Sequence, residues 1–274
     1  MSADLDVRAR FAARAARARR LAAERPACAE VLTFYAAVAA AQSDLLTGAS
    51  RALESAGRDG TFAAAVDRVA PAALVAPFLG RLIADAPAEV AAALTPLLAF
   101  PSGRWQRVCA EVAEAPTGAP VAAGPAATFV AEALLQPLAE LWAAAADAAA
   151  VAGADARRCP RCGGRAVAGV LRERGHGAGR SLVCGLCASE WGVPRVVCPA
   201  CGESRVEALP VFRDGGLPAV RVDACDTCRS YIKAIDLSVD GHADPLVDDL
   251  GSLPLDLWAA EQGYQRLRPN LLRV

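Results

Sequence analysis

Cys159-Pro-Arg-Cys162-Gly opens a run of four Cys-x-x-Cys motifs that decides the fold of residues 156–236. The other three are Cys184-Gly-Leu-Cys187, Cys198-Pro-Ala-Cys201-Gly and Cys225-Asp-Thr-Cys228. A two-residue spacer lets one tight turn present two sulfurs on the same side, at the separation that a tetrahedral ion requires. Gly163 and Gly202 follow their motifs, where the chain commonly needs a positive φ. The motifs therefore predict two metal ions, each held by four thiolates.

The order of the motifs indicates a tandem repeat. Cys159 and Cys198 are 39 residues apart, Cys184 and Cys225 are 41 apart, and each half begins with Cys-Pro-x-Cys-Gly. Two self-contained modules explain this most simply. Sequential pairing then gives one site from Cys159, Cys162, Cys184 and Cys187, and another from Cys198, Cys201, Cys225 and Cys228. A cross-braced arrangement, in which alternate motifs share a metal, stays open.

Two other uses of paired cysteines fit the sequence less well. Structural disulfides require an oxidising compartment, and no export signal supports one. Thioredoxin-like redox chemistry uses a single Cys-x-x-Cys at the start of a helix in a βαβ setting, which this pattern lacks. Four thiolates in a tetrahedron suit zinc or a mononuclear iron, and the ligand set does not distinguish these metals.

The sequence before residue 155 has a different composition, with long alanine-rich stretches that favour helix. Thr61 is expected to cap a helix over 62–69, Pro87 suits the first turn of 88–94, and Ser102 is expected to cap 103–113. A further helix is predicted over roughly 126–151, where Pro137 should kink or split it. Cys28 and Cys109 are isolated in apolar helical context, which is typical of core residues.

Short β-type runs lie between the cysteine motifs, at 167–171, 181–183, 205–212 and 220–222. The predicted fold class is therefore α+β. It consists of an all-α domain (residues 1–155), a first four-cysteine β module (156–194), a second four-cysteine β module (195–240) and a C-terminal helical segment (241–274). The acidic and leucine-rich stretch from Asp244 to Asp256 predicts one amphipathic helix that ends near Gly263. Its apolar face docks either on the chain itself or on a partner.

Charge and composition restrict the partner. Residues 157–233 contain 13 basic and 7 acidic residues, and the net charge falls to about +2 once eight thiolates and two divalent ions are counted. No aromatic platform interleaves with the arginines, so nucleic-acid binding by a zinc ribbon is the weaker alternative. Trp191 is expected to pack over its module.

No segment has the features of a targeting signal or a membrane span, so we expect a soluble, intracellular protein. The arginines of the first 20 residues predict an exposed, basic helix face. No constellation for catalysis is evident: both histidines, His176 and His242, lie in loop-like sequence, and eight cysteines make two closed sites. We expect a protein that is not an enzyme.

Two stretches resemble the formate dehydrogenase accessory protein family, the FdhE type. One runs from Cys159 through Cys184-Gly-Leu-Cys-Ala-Ser-Glu-Trp191-Gly-Val-Pro-Arg195 to Cys198. The other is Asp248-Asp249-Leu-Gly-Ser-Leu-Pro-Leu-Asp256, followed by Glu261-Gln-Gly-Tyr264. The residues after the fourth motif, 229–233, match only loosely.

The resemblance implies a cytoplasmic accessory or chaperone protein that supports the maturation of respiratory formate dehydrogenases and binds their catalytic subunit. It also implies rubredoxin-like metal sites in which the eight cysteines bind iron. A rubredoxin-like electron carrier remains a further alternative. The sequence carries no signal of oligomeric state.

Overall fold

The computed structural model describes residues 2–57, 59–145, 155–174 and 177–274. The helices are α1 (Ser2–Glu24), α2 (Ala29–Ala56), α3 (Phe62–Val69), α4 (Ala72–Asp85), α5 (Ala88–Leu94), α6 (Ser102–Glu114), α7 (Pro125–Ala144), α8 (Pro245–Leu250) and α9 (Leu253–Glu261). The strands are β1 (Ala166–Arg174), β2 (Gly177–Cys184), β3 (Glu190–Val193), β4 (Val211–Arg213), β5 (Val220–Ala224), β6 (Ser230–Asp236) and β7 (Gln265–Arg266). This is the predicted α+β fold. His176, expected in a loop, lies outside the described residues.

Helix α7 lies at the centre of the helical region. Every side chain from Ala127 to Ala143 is buried, and α7 contacts α1, α2, α4, α5 and α6. Pro137 lies inside this helix, yet α7 continues through it, so the predicted split does not occur. Cys28 and Cys109 are buried as predicted, and burial raises the pKa of the Cys109 thiol to about 12. Thr61 caps α3 by accepting a hydrogen bond from the amide of Ala64.

The prediction of an exposed basic face on α1 is only partly correct. Arg8, Arg10, Arg19 and Arg20 are exposed, but Arg14 and Arg17 are buried. Arg14 donates to the buried carboxylate of Glu140, with 2.5 Å between Nη1 and Oε1, and Arg17 donates to Asp248. A buried guanidinium requires an anionic partner, and these partners lie more than 120 residues away in sequence. Local sequence therefore gave no sign of the burial.

Both cysteine modules contribute to one seven-stranded sheet of order β3-β2-β1-β6-β5-β4, with β7 beside β6. Strand β1 of the first module pairs in parallel with β6 of the second, from Ala168 opposite Lys233 to Leu171 opposite Asp236. At this junction the Cα of Gly169 faces Ala234, and a Cβ on Gly169 would lie 3.2 Å from that of Ala234. The two modules are therefore joined in one sheet by the β1–β6 ladder.

The segment after residue 244 is two short helices, α8 and α9, separated by Gly251 and Ser252. The predicted single helix is thus broken, although Gly263 ends the helical segment at a φ of 77°. Asp248 and Asp249 are completely buried. Their carboxylates pair with arginines and a lysine of the same chain, so this acidic face docks on the chain itself.

The only lysine in the sequence, Lys233, lies on β6 and is completely buried. Its Nζ donates to the carbonyls of Asp249 and Ser252, at 2.6 and 3.3 Å, and to Oδ2 of Asp256 at 2.5 Å. Lys233 Nζ also lies 3.4 Å from the Asp249 carboxylate, and Arg266 of β7 pairs with the carboxylates of both Asp249 and Asp256. Burial raises the pKa of Asp249, but Arg266 and Lys233 outweigh that effect and lower it. This network fixes α8 and α9 against the sheet.

Within the described residues, no single helix combines the length and apolar composition needed to cross a bilayer. Helices α3 and α4, which meet at 89°, satisfy those criteria only as a pair.

Candidate metal centres

The eight predicted cysteines form two groups of four. Cluster 1 consists of Cys159, Cys162, Cys184 and Cys187, and cluster 2 consists of Cys198, Cys201, Cys225 and Cys228. Within each cluster all four Sγ atoms lie within 4.8 Å of one another. This grouping is the sequential pairing that the repeat predicts.

The sulfur separations fit a tetrahedral ion. Four sulfurs at about 2.3 Å from a central zinc lie about 3.8 Å from one another. In cluster 1 the separations are 3.6 Å for Cys159–Cys187 and 3.4 Å for Cys162–Cys184. In cluster 2 they are 3.7 Å for Cys198–Cys228 and 3.8 Å for Cys201–Cys225. Both clusters can therefore hold one four-coordinate metal ion each, and the identity of the metal is not fixed by this geometry.

The four turns that present the sulfurs share one backbone conformation. The residue after each motif has a positive φ: 73° at Gly163, 51° at Ala188, 83° at Gly202 and 56° at Arg229. In the first three turns the amide of this residue also donates a hydrogen bond to the first cysteine's carbonyl, at 3.0, 3.2 and 2.9 Å. Glycine indicated this conformation in the sequence at two turns, whereas Ala188 and Arg229 are residue types that do not predict a positive φ.

The two clusters differ in how far they are enclosed. In cluster 1, Cys159, Cys184 and Cys187 are buried and belong to the main hydrophobic core, together with Trp191. In cluster 2, Cys201 is exposed and Cys228 is half-buried. The main core includes none of the cysteines of cluster 2, although Ala200, in the third cysteine turn, packs against it.

Cluster 1 is joined directly to the helical region. Gln136 of α7 donates from Nε2 to the carbonyl of Gly185, at 2.9 Å, inside the second cysteine turn. Gln42 of α2 in turn donates to Oε1 of Gln136, at 2.8 Å. Gly164 packs against both the cluster and the loop at Pro116. A Cβ on Gly164 would lie 3.0 Å from the sulfur of Cys184 and 3.2 Å from the carbonyl oxygen of Pro116. Helix α7 and the loop at Pro116 therefore both contact the turns of this cluster.

The thiols titrate unequally in the metal-free protein. Hydrogen bonds from Cys162, Cys184 and Cys187 lower the pKa of the Cys159 thiol, and the bond with Cys159 raises that of Cys162. Burial raises the pKa of Cys198. Burial acts in the same direction at Cys228, but hydrogen bonds with Ser230 outweigh it and bring the pKa to about 7. Each cluster thus holds a thiolate-forming cysteine beside thiols that a cation would have to deprotonate.

Comparison with known proteins divides the cysteine-rich region between cluster 1 and cluster 2. Residues 158–195 match the family model described as the FdhE central domain, and residues 196–273 match the FdhE C-terminal domain. Residues 158–273 belong to the FdhE family. The FdhE homolog of Pseudomonas aeruginosa is 42% identical over 137 residues, and that of Aquifex aeolicus is 36% identical over 115.

Those alignments cover 48% and 42% of this chain, and 44% and 41% of the two relatives. The chain thus aligns with less than half the length of the curated FdhE homologs. The fold comparison extends further. The crystal structure of the FdhE protein from Pseudomonas aeruginosa superposes with a TM-score of 0.74 at 29% identity, covering 97% of this chain and 96% of that one. The helical region is therefore shared in fold as well.

Proposed function

We propose that this FdhE-family chain assists the assembly or maturation of a respiratory formate dehydrogenase by binding the enzyme's catalytic subunit in the cytoplasm. One observation carries the proposal: residues 158–273, which hold both four-cysteine clusters, are the part that matches the FdhE domains. The metal-stabilised half is the binding part, and the helical region holds cluster 1 through α7.

The chemistry of the clusters supports binding rather than catalysis. A catalytic zinc keeps one coordination position open for water or substrate, whereas four cysteines close the site. His242 is exposed and belongs to neither cluster. Each ion therefore stabilises the fold around it, and the protein acts as an accessory factor rather than an enzyme.

We further propose that each cluster binds one iron ion, the metal that the family resemblance implies, with zinc as the alternative. Elemental analysis of the purified protein is expected to give two metal ions per chain. Iron held by four thiolates gives a coloured protein that bleaches with dithionite, whereas zinc gives a colourless one. A metal content near zero after anaerobic purification would contradict metal binding itself.

Deletion of the gene tests the function. The deletion strain is expected to lose formate-dependent respiratory activity while it keeps normal transcription of the catalytic subunit. Plasmid-borne wild-type protein should restore activity, and a C198S/C201S variant should not. The tagged wild-type protein, purified from formate-grown cells, should carry the catalytic subunit with it. Normal formate dehydrogenase activity in the deletion strain would contradict the proposal.

One observation favours a second candidate, a rubredoxin-like electron carrier. Cys201 is exposed, so a metal in cluster 2 would lie close to the protein surface. A redox titration of the iron-loaded protein, followed in its visible spectrum, tests this candidate. A protein isolated with zinc in cluster 2 would eliminate it.

A further inference from the structure

Residues 262–265, which lead from α9 into β7, lie against the turn of the fourth cysteine motif. We call these residues the strap. The ring of Tyr264 contacts two side chains of that turn: its hydroxyl donates to Oδ1 of Asp226 at 2.6 Å, and the guanidinium carbon of Arg229 lies 3.9 Å from the ring centroid. The amide of Gln265 donates to the carbonyl of Arg229 at 2.7 Å. The strap therefore holds the turn through both side chains and backbone.

The turn that the strap contacts presents two ligands of cluster 2, Cys225 and Cys228. Arg229 directly follows Cys228 and has a φ of 56°. A residue with a Cβ keeps such a conformation only where the surrounding structure holds it there. The strap makes three contacts with Arg229, from the ring of Tyr264, the amide of Gln265 and the carbonyl of Gln262. A metal ion on the two thiolates would hold the same turn as well.

The two ends of the strap are held by contacts outside the cysteine turns. On one side, Asp256 of α9 pairs with Lys233 and Arg266. On the other side, the amide of Leu267 donates to the carbonyl of Tyr231 at 2.9 Å. A change in the fourth cysteine turn can therefore open the strap without detaching α9 from the sheet.

We propose that docking of the strap and metal binding by cluster 2 stabilise each other, which makes the strap a metal-responsive element of the protein surface. With the metal bound, the thiolates hold the turn in the conformation that the strap contacts. Without it, Arg229 relaxes from its positive φ, and the hydrogen bond from Gln265 is lost. The strap is exposed at Gln262 and Gly263, so its opening alters the surface. Because such coupling is reciprocal, a strap that docks less well must also weaken metal binding by cluster 2.

Hydrogen exchange of the full-length, Zn²⁺-loaded protein, followed by NMR, tests one direction of the coupling. C198S/C201S removes the metal from cluster 2 and leaves the sequence of the fourth turn and the strap intact. The exchange rate of the Gln265 amide, divided by that of Leu267 to correct for general stability, should rise about 10-fold or more. The matched control, C159S/C162S, empties cluster 1 instead and should keep this ratio within about 2-fold of wild type.

Metal release tests the other direction. Tyr264→Phe removes the hydroxyl that donates to Asp226, and in excess EDTA it should speed the loss of zinc from cluster 2 about 3-fold or more. Tyr264→Ala, which also removes the ring stacked on Arg229, should speed it further. The matched control is Tyr231→Phe, which removes a similar hydrogen bond, to Asp256 at 2.7 Å, in the same small core. It should leave the rate within about 2-fold of wild type. The metal content of the protein after gel filtration at timed intervals gives each rate.

Three outcomes would overturn the inference: an unchanged exchange ratio in C198S/C201S, metal release at the wild-type rate from both Tyr264 variants, or equal acceleration by Tyr231→Phe and Tyr264→Phe. The last would show that the strap contributes to general stability alone. The accessory function is judged separately by the deletion strain, so either proposal can fail without the other.

Discussion

Backbone strain is distributed unevenly over the four cysteine turns. Glycine occupies the left-handed position after the first and third motifs, but Ala188 and Arg229 occupy it after the second and fourth. A left-handed conformation costs a residue with a Cβ about 1–2 kcal/mol. Arg229 compensates through contacts: it stacks on the ring of Tyr264 at 3.9 Å and pairs with Asp226. The methyl group of Ala188 can make neither of these contacts.

Opposite substitutions at two of these turns should therefore have opposite effects. Gly163→Ala should lower the free energy of unfolding by about 1–2 kcal/mol, since a Cβ there meets no atom within 4 Å and only the backbone is strained. Ala188→Gly should raise it by about 1 kcal/mol, because the relief of backbone strain is partly offset by the greater conformational entropy of glycine in the unfolded chain. Urea unfolding of the metal-loaded protein measures both. Destabilisation by Ala188→Gly would contradict this account.

Lys233 gives the clearest single-residue test of the buried network. Lys233→Met should destabilise the protein by about 3–5 kcal/mol, because it leaves the carboxylates of Asp249 and Asp256 buried with one cation fewer. Arg81→Gln is the control: it breaks an exposed pair with Asp85 and should change stability by less than about 1 kcal/mol. Equal effects of the two substitutions in urea unfolding would show that the Lys233 network adds little.

At the scale of elements, the sequence predicted the features that depend on residues close together in the chain. Cysteine spacing gave both clusters, and β-type runs gave β1, β2 and β5. Strands β3, β6 and β7 were missed; β6 contains a charged residue that only distant partners neutralise. The run at 205–212 became a 3-10 turn at Val206–Ala208 and the short strand β4. The fusion of the modules by the β1–β6 ladder depends on contacts 65 residues apart, which periodicity cannot reveal.

The elements around each cluster predict different consequences of losing its metal. C159S/C162S and C198S/C201S should each release one ion per chain and leave the other bound. Cluster 1 belongs to the main core, so the first variant should also lower the thermal midpoint of the helical signal at 222 nm. The second should lower it much less. Metal analysis and circular dichroism check both; loss of two ions from either variant would contradict independent metal binding by the two clusters.

Exposure predicts the order in which a chelator removes the metals. Cluster 2 has an exposed cysteine, Cys201, whereas three of the four sulfurs in cluster 1 are buried. With EDTA in excess, about one equivalent should leave quickly and the second only slowly. The metal content of the protein, measured after gel filtration at timed intervals, follows the release, and C198S/C201S should lack the fast phase. Its persistence in that variant would contradict the assignment.

At the scale of the whole molecule, one hydrophobic core crosses the predicted boundary at residue 155. It includes residues of α1 to α7 together with Cys184, Trp191, Val247 and Leu267. Ion pairs reinforce it, with Arg17 on Asp248 and Arg268 on Glu132. Both halves are thus expected to unfold in one cooperative transition. Far-ultraviolet circular dichroism and tryptophan fluorescence should give coincident urea curves; a helical transition separate from the fluorescence change would contradict this.

Glu132, near the centre of α7, limits how early the helical region can fold during synthesis of the chain. Its buried carboxylate is neutralised by Arg268 and Arg273, which follow it by 136 and 141 residues. A ribosome adds about 5–20 residues per second, so on the order of ten seconds separates the synthesis of the acid from that of its partners. Until then the helical bundle would have to bury an uncompensated charge. The nascent bundle should therefore stay open, exposed to chaperones and proteases, until the metal-binding half has been made.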